Sequence, residues 1–156
     1  MIEQSPEKTE HETAGTILDD RQFRLPPQRL RSLADILADL KMPPAPKHLM
    51  TKKKGGALLW FIPWYYTVQY LDLYAPGWCH EVKAVNFSMD RIVITVRISI
   101  PTADGWVHRE ATGTEEEPDE GSAMYGDPSS NAEAMALKRA AAKFGFGLYL
   151  YDPTKR

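Results

Sequence analysis

Three basic side chains lie close together near the carboxyl end of the sequence, in the segment AEAMALKRAAAKFGFGLYLYD. They are Lys138, Arg139 and Lys143. The surrounding residue types favour a helix, on which Arg139 and Lys143 share a face and Lys138 is one position away. Cations fixed on a rigid helix can hold consecutive phosphates, because each neutralises charge and releases condensed counterions. This basic ridge is therefore a candidate nucleic-acid surface. The other interpretation is a solvated helix face whose cations favour the C-terminal end of the helix.

A second basic cluster lies earlier in the chain, where Lys52, Lys53 and Lys54 precede Gly55 and Gly56. The run of lysines followed by glycines predicts a flexible basic loop. It lacks the Gly-Lys-Ser/Thr continuation of a phosphate-binding loop, so nucleotide hydrolysis is not expected. Aromatic residues follow this cluster, and their rings suit either stacking on bases or contacts in the core or between subunits. These residues are Trp60, Trp64, Tyr65 and Tyr66.

No group of residues has the spacing of a catalytic or metal site. Cys79 and His80 are adjacent, so on a strand they face opposite sides and cannot easily hold one ion. The acidic run at 115–120 lacks the spaced ligands and fixed glycine of a calcium loop, which favours a solvated loop. A magnesium-dependent nuclease would need clustered carboxylates beside the basic groove, and the acids of the basic region form no recognisable set. We therefore expect that the protein is not an enzyme and that it binds neither a cofactor nor a metal ion.

The net charge is −2, but the charges are unevenly distributed along the 156 residues. Residues 1–20 hold six acids and one lysine, and residues 110–127 hold seven acids and no base. Between them, residues 21–109 hold thirteen basic residues and six acids. A basic body attracts polyanions, and an acidic appendage can compete for it. The alternative is that the acids only compensate charge for solubility.

The cysteine count, the apolar runs and the first residues indicate the cellular compartment. A single cysteine excludes an internal disulfide framework, and the longest apolar run is interrupted by Pro63 and too short to span a membrane. The first residues lack the basic start and apolar stretch of a secretory signal. We expect a cytoplasmic, nucleoid-associated domain with no membrane partner.

Periodicity and punctuation predict the elements that position the basic residues. Residues 1–24 read as a disordered acidic tail, and residues 25–156 as one domain. The predicted elements are a helix over about 30–40, a strand over 57–62, a second helix ending before 75, three antiparallel strands over 80–87, 91–101 and 106–114, and a helix over 131–144 capped by Ser130 with Glu133. The isoleucines of the middle strand alternate and predict a core face. The fold class is α+β: an antiparallel β-β-β-α core, with a curved sheet packed by a long C-terminal helix and preceded by an N-terminal helix.

The terminal segment resembles the signature helix of the Rad52 superfamily of single-strand annealing proteins, most closely the bacterial DdrA-like branch. The resemblance rests on Ala-x-Ala-Leu-Lys-Arg-Ala-Ala-x-x-Phe-Gly-x-Gly-x-Tyr-Leu-Tyr at 134–151. Trp60 resembles the central aromatic of the family's strand-into-helix segment, and Gly77-Trp78 resembles the Gly-Trp that opens its hairpins. The resemblance covers about residues 28–152.

This resemblance implies roles for the basic residues. Lys138 and Arg139 match the family's Lys-Arg pair, which contacts the backbone of a single strand in a groove. The loop at 52–54 resembles the basic loop on the opposite wall of that groove, and Arg91 lies near a position associated with a secondary DNA site. Where some members carry another arginine one turn after the pair, this chain has Ala142 with Lys143 adjacent.

By the same resemblance, we expect a homo-oligomeric ring that binds single-stranded DNA and anneals complementary strands in recombination or repair, without nucleotide hydrolysis. A recombinase or a single-strand-binding protein is a further possible partner. Three alternatives stay open: protection of single-stranded ends without annealing, a magnesium-dependent nuclease, and an interaction scaffold with no DNA role.

Overall fold

The structure is a computed structural model that describes residues 30–116 and 127–155. The predicted acidic tail at 1–24 and most of the acidic loop at 115–120 lie outside the described residues. No helix in the described part of the chain is long and apolar enough to cross a membrane.

The described residues form three helices and two antiparallel sheets, which confirms the α+β class. In chain order the elements are α1 (Leu33–Leu40), β1 (Met50–Lys54), β2 (Ala57–Phe61), α2 (Trp64–Tyr74), β3 (Cys79–Ser88), β4 (Arg91–Thr102), β5 (Gly105–Glu116) and α3 (Pro128–Lys143). Strands β1 and β2 pair with each other, and β3-β4-β5 form a separate meander. The described residues also form short 3-10 turns at Pro46–His48, Leu148–Tyr151 and Pro153–Lys155.

The core lies between the meander and α3. The alternating side chains at 92, 94, 96, 98 and 100 of β4 are all buried, as their periodicity predicts. Helix α3 packs on β4 and β5 through Ala132, Ala136 and Ala140, all fully buried. A Cβ added to Gly113 would lie 1.9 Å from the carbonyl oxygen of Ala132. Strand and helix backbones therefore approach so closely that only glycine fits at this point of β5.

The predicted basic loop is a strand, so that prediction was wrong. Residues 50–54 form β1, which pairs with β2 in a hairpin whose two-residue turn is Gly55-Gly56. Both glycines have positive φ, 55° and 79°, which a tight hairpin turn of this kind requires. Lysine is a poor strand former, so its run concealed a strand that cross-strand pairing stabilises.

Two helix boundaries also differ from prediction. Helix α1 spans eight residues rather than about three turns, because Ser32 caps it by accepting a hydrogen bond from the backbone N–H of Asp35 at 3.1 Å. Helix α3 is capped by Asp127, not by the predicted Ser130, and begins at Pro128, whose fixed φ suits the first helical position. Gly145 follows the end of this helix with φ 107°, as predicted.

Candidate nucleic-acid interface

The ammonium groups of Lys52 and Lys138 meet over one aromatic ring. Cross-strand pairing of Lys52 with Leu59 places Lys52 and Phe61 on the same face of the β1–β2 hairpin. The Nζ atom of Lys52 lies 5.5 Å from the centroid of the Phe61 ring, and Nζ of Lys138 lies 5.4 Å from it. The hairpin and α3 thus supply one cation each to a shared site.

Electrostatic repulsion is built into this arrangement. The pKa of Lys138 is lowered, first by burial and then by the positive charges of Lys52 and Arg139. Within the described residues no carboxylate forms a salt bridge with Lys52 or Lys138. An anion placed between the two lysines would relieve the repulsion and gain two charge-assisted contacts.

An apolar cavity of about 310 Å³ opens beside the two lysines. Its walls come from the hairpin and from the segment after α3, and they include Trp60, Phe61, Ile62, Tyr149, Leu150 and Tyr151. Gly147, with φ 65°, lets this last segment turn close to Ile62, the residue after β2, because a Cβ at 147 would lie 2.7 Å from Cδ1 of Ile62. The Phe-Gly-x-Gly part of the signature therefore shapes the cavity.

Arg139 and Lys143 lie along β5, where backbone carbonyls orient them. Arg139 donates to the carbonyl of Thr112 at 2.9 Å, and Lys143 donates to the carbonyl of Glu110. Tyr151 borders both the cavity beside Lys138 and a shallower hollow that Arg139 and Lys143 line. Burial raises the pKa of Tyr151 while the Arg139 charge opposes that rise. Lys52, Lys138, Arg139 and Lys143 thus form one continuous surface, the basic track.

The other predicted residues of the hairpin are arranged differently. Strand alternation places Lys53 on the opposite face of the hairpin from Lys52, together with Trp60. Lys54 shares the face of Lys52 but lies at the exposed hairpin tip. Of the three lysines predicted to act together, only Lys52 meets Lys138.

Arg91 lies away from this track. It begins β4 and pairs in register with Ser88 and Glu116. The nearest contact of the track is that of Arg139 with the Thr112 carbonyl, and Thr112 pairs with Thr95, four residues further along β4. At ~3.3 Å per residue the two points are about 13 Å apart along the strand. The secondary DNA site predicted at Arg91 remains a prediction, separate from the groove.

Most of the aromatic residues after the lysines are exposed rather than buried in the core. Trp60, Trp64 and Tyr65 are exposed, while Tyr66 is partly buried and stacks on the His48 ring at 4.0 Å. A core role therefore fits only Tyr66. The other three rings are available to bases or to a neighbouring subunit.

Strand β3 carries an apolar face that sequence reasoning missed. Val82, Val85 and Phe87 are 46%, 48% and 69% exposed, although each lies opposite a buried residue of β4. Helix α3 packs chiefly on β4 and β5, so no helix among the described residues covers this part of the core face. A β-bulge between Val82 and Ala84 changes the phase of the alternation. The bulge is what concealed the common face.

The Cys79-His80 pair faces opposite sides of the sheet, as predicted. Cys79 pairs in register with Ser99, and His80 lies on the side of α3, with Nε2 3.4 Å from Oε1 of Glu133. In residues 30–116 and 127–155, no three His, Cys, Asp or Glu side chains are grouped so as to hold a metal ion.

Among known proteins, a family described as Rad52/22 family double-strand break repair protein matches residues 34–156, which contain the whole basic track. DNA repair RAD52-like protein 1, mitochondrial, of Arabidopsis thaliana is 38% identical over 123 residues, covering 78% of this chain and 68% of that protein. DNA repair RAD52-like protein 2, chloroplastic, of the same plant is 42% identical over 126 residues, covering 78% of this chain and 61% of that protein.

Proposed function

We propose that this chain, which belongs to the Rad52/22 family of double-strand break repair proteins, binds single-stranded DNA along its basic track and promotes annealing of complementary strands. The observation that carries the proposal is the meeting of Lys52 and Lys138 over Phe61, with no carboxylate paired to either within the described residues. A partly buried Lys138 beside the exposed Lys52, at the edge of an apolar cavity, favours an anionic ligand, and the phosphate backbone supplies one at every nucleotide.

The mechanism needs only charge neutralisation and orientation. Lys52 and Lys138 hold phosphates at the cavity, and Arg139 and Lys143 continue the contact along β5. Contacts to the backbone leave base edges free to search for a complement. Such binding depends weakly on sequence and strongly on salt. No nucleotide hydrolysis enters this scheme.

A homo-oligomeric ring extends the track. The uncovered face of β3, formed by Val82, Val85 and Phe87, is a continuation of the core face that ends in solvent. We propose that a second copy covers it in a head-to-tail contact, which closes into a ring when the rotation between subunits allows. A ring would join one short groove to the next.

Protection of single-stranded ends without annealing is the second candidate. Glu115 and Glu116 pair in register with Ile92 and Arg91, next to the predicted secondary site. Acids at that position would weaken contact with a second strand, while leaving the first strand bound at Lys138.

Strand annealing by fluorescence energy transfer between two labelled complementary oligonucleotides separates the candidates. We expect the wild type to accelerate annealing at low salt, and Lys138→Ala with Arg139→Ala in a folded protein to abolish the acceleration. If the wild type binds a single strand but leaves the annealing rate as it is without protein, end protection is favoured. Cleavage of labelled DNA with Mg²⁺ would overturn the binding model, and no binding even at low salt would overturn both candidates.

A further inference from the structure

Lys138 differs from the other lysines of the track in its surroundings. It is partly buried at the edge of the 310 Å³ cavity, whereas Lys52 and Lys143 are exposed. Its amine faces the Phe61 ring at 5.4 Å, and Lys143, by contrast, is engaged by a backbone carbonyl. Lys138 thus places an amine at the apolar wall of a cavity that can hold a small ligand.

Such surroundings make the Lys138 amine easier to deprotonate. Burial and the charges of Lys52 and Arg139 lower the pKa of Lys138. The other titratable groups of the cavity, Tyr149 and Tyr151, have pKa values raised by burial, so they stay neutral phenols and offer no anion to reverse the effect. A desolvated lysine beside another cation is a pattern that activates an amine as a nucleophile toward carbonyls.

We propose that Lys138 captures the aldehyde of an abasic deoxyribose in single-stranded DNA as a reversible imine. In the deprotonated fraction of the protein, Nζ adds its lone pair to the C1′ aldehyde carbon of the ring-opened sugar, forming the C–N bond of a carbinolamine. The carbinolamine then loses its oxygen as water, and the C=N bond forms. Both hydrogens of that water come from the amine nitrogen of Lys138. No oxidant or reductant is consumed, and hydrolysis reverses the step.

The geometry favours an abasic nucleotide over an intact one. A sugar without its base is compact and can turn from the backbone into the cavity. Lys52, whose Nζ lies 5.5 Å from the centroid of the same Phe61 ring, remains to neutralise the flanking phosphate. Lys138 is then not required to stay protonated as the phosphate contact. The inference rests on the proposed function, because the strand must lie over the two lysines.

Borohydride trapping tests the proposal. A labelled single strand with one abasic site is incubated with the full chain and sodium cyanoborohydride, which converts an imine into a stable adduct seen on a denaturing gel. We expect an adduct that peptide mass spectrometry places on Lys138. Lys138→Arg, which keeps the charge, should lower the trapped fraction about tenfold, whereas Lys83→Arg, a change on exposed β3 outside the track, should not lower it.

The pH profile supplies a readout that simple proximity would not move. Lys52→Met removes a charge that lowers the pKa of Lys138, so trapping at saturating protein should shift to higher pH. An adduct that persists in Lys138→Arg, or that spreads equally over Lys52, Lys53 and Lys54, would overturn the proposal. Anisotropy with an intact strand is measured in parallel. Binding without an adduct contradicts this inference alone, and no binding at low salt contradicts the proposed function and this inference with it.

Discussion

Lys52 and Lys138 face the same ring from two different elements, with their ammonium groups 5.5 and 5.4 Å from the centroid of Phe61. The free protein therefore maintains two like charges at an apolar surface, and the pKa of Lys138 is lowered as a result. Placing a charge in such a position opposes folding. The arrangement favours the binding of an anion between the two lysines.

The first prediction is that Lys138→Met stabilises the free protein while weakening DNA binding. Because the folded-state pKa of Lys138 lies below its ordinary value of 10.5, the unfolded chain binds more protons between those two values, and stability rises with pH there. Below that window Lys138 is charged in both states and the full penalty applies, so at a pH below the folded-state pKa the variant should melt at a higher temperature than the wild type. Thermal melting in low salt measures this, with exposed Lys83→Met as the control. A melting temperature for Lys138→Met below that of the wild type would show that the charge of Lys138 does not destabilise the folded protein.

The second prediction concerns the contact between β5 and α3. In Gly113→Ala the new methyl would lie 1.9 Å from the Ala132 carbonyl oxygen and 2.6 Å from the Ala136 nitrogen. Since both are backbone atoms, the helix must shift, and we expect a loss of about 1–3 kcal/mol in the free energy of unfolding. Urea unfolding measures it. Thr112→Ala, an exposed neighbour on the same strand, should change stability little, and equal stabilities would contradict the close approach.

The third prediction is a pH-dependent helix cap. Hydrogen bonds from the Ser129 hydroxyl, then from the backbone N–H and hydroxyl of Ser130, lower the pKa of Asp127 below its ordinary value of 3.8. The stabilisation is therefore present above pH 3.8 and is lost as the pH falls through the lower folded-state pKa. Asp127→Ala should unfold at lower urea than the wild type at pH 7. The difference should shrink at the acid end of the range, and a difference independent of pH would exclude this carboxylate as the cap.

The fourth prediction tests the uncovered face of β3. Phe87→Lys places a charge on the face shared with Val82 and Val85, so self-association measured by sedimentation velocity should be lost. Asn86→Lys, on the opposite face of the same strand, is the matched control and should leave assembly intact. Assembly that survives Phe87→Lys, or that is lost equally in both variants, would show that this face is not the subunit contact.

Much of the fold follows from local patterns. The alternating isoleucines of β4 and the alanine-rich signature of α3 predict the core, because burial decides both patterns. Two features depend instead on contacts between distant segments. The lysine run at 50–54 becomes a strand only through pairing with β2, and the bulge near Lys83 changes which side chains of β3 share a face.

The sequence identified the basic residues of the candidate site but not how they are arranged in space. The sequence identified Lys138 as a basic residue of the terminal helix and Lys52 as one of three equivalent lysines. Strand alternation makes these three inequivalent, because it places Lys52 on the Phe61 face and Lys53 on the other. The alternation could have been predicted only by assigning the strand, for which Gly55-Gly56 was the available signal.

The most direct test of the account compares Lys52→Ala with Lys53→Ala in single-strand binding. Anisotropy of a labelled oligonucleotide is measured across a range of salt concentrations, with folding checked by circular dichroism. The account predicts that Lys52→Ala weakens binding and reduces the slope of log affinity against log salt by about 0.7 for one lost phosphate contact, with a smaller change for Lys53→Ala. Equal effects of the two variants, or no effect of Lys52→Ala, would contradict a groove built around Lys52 and Lys138.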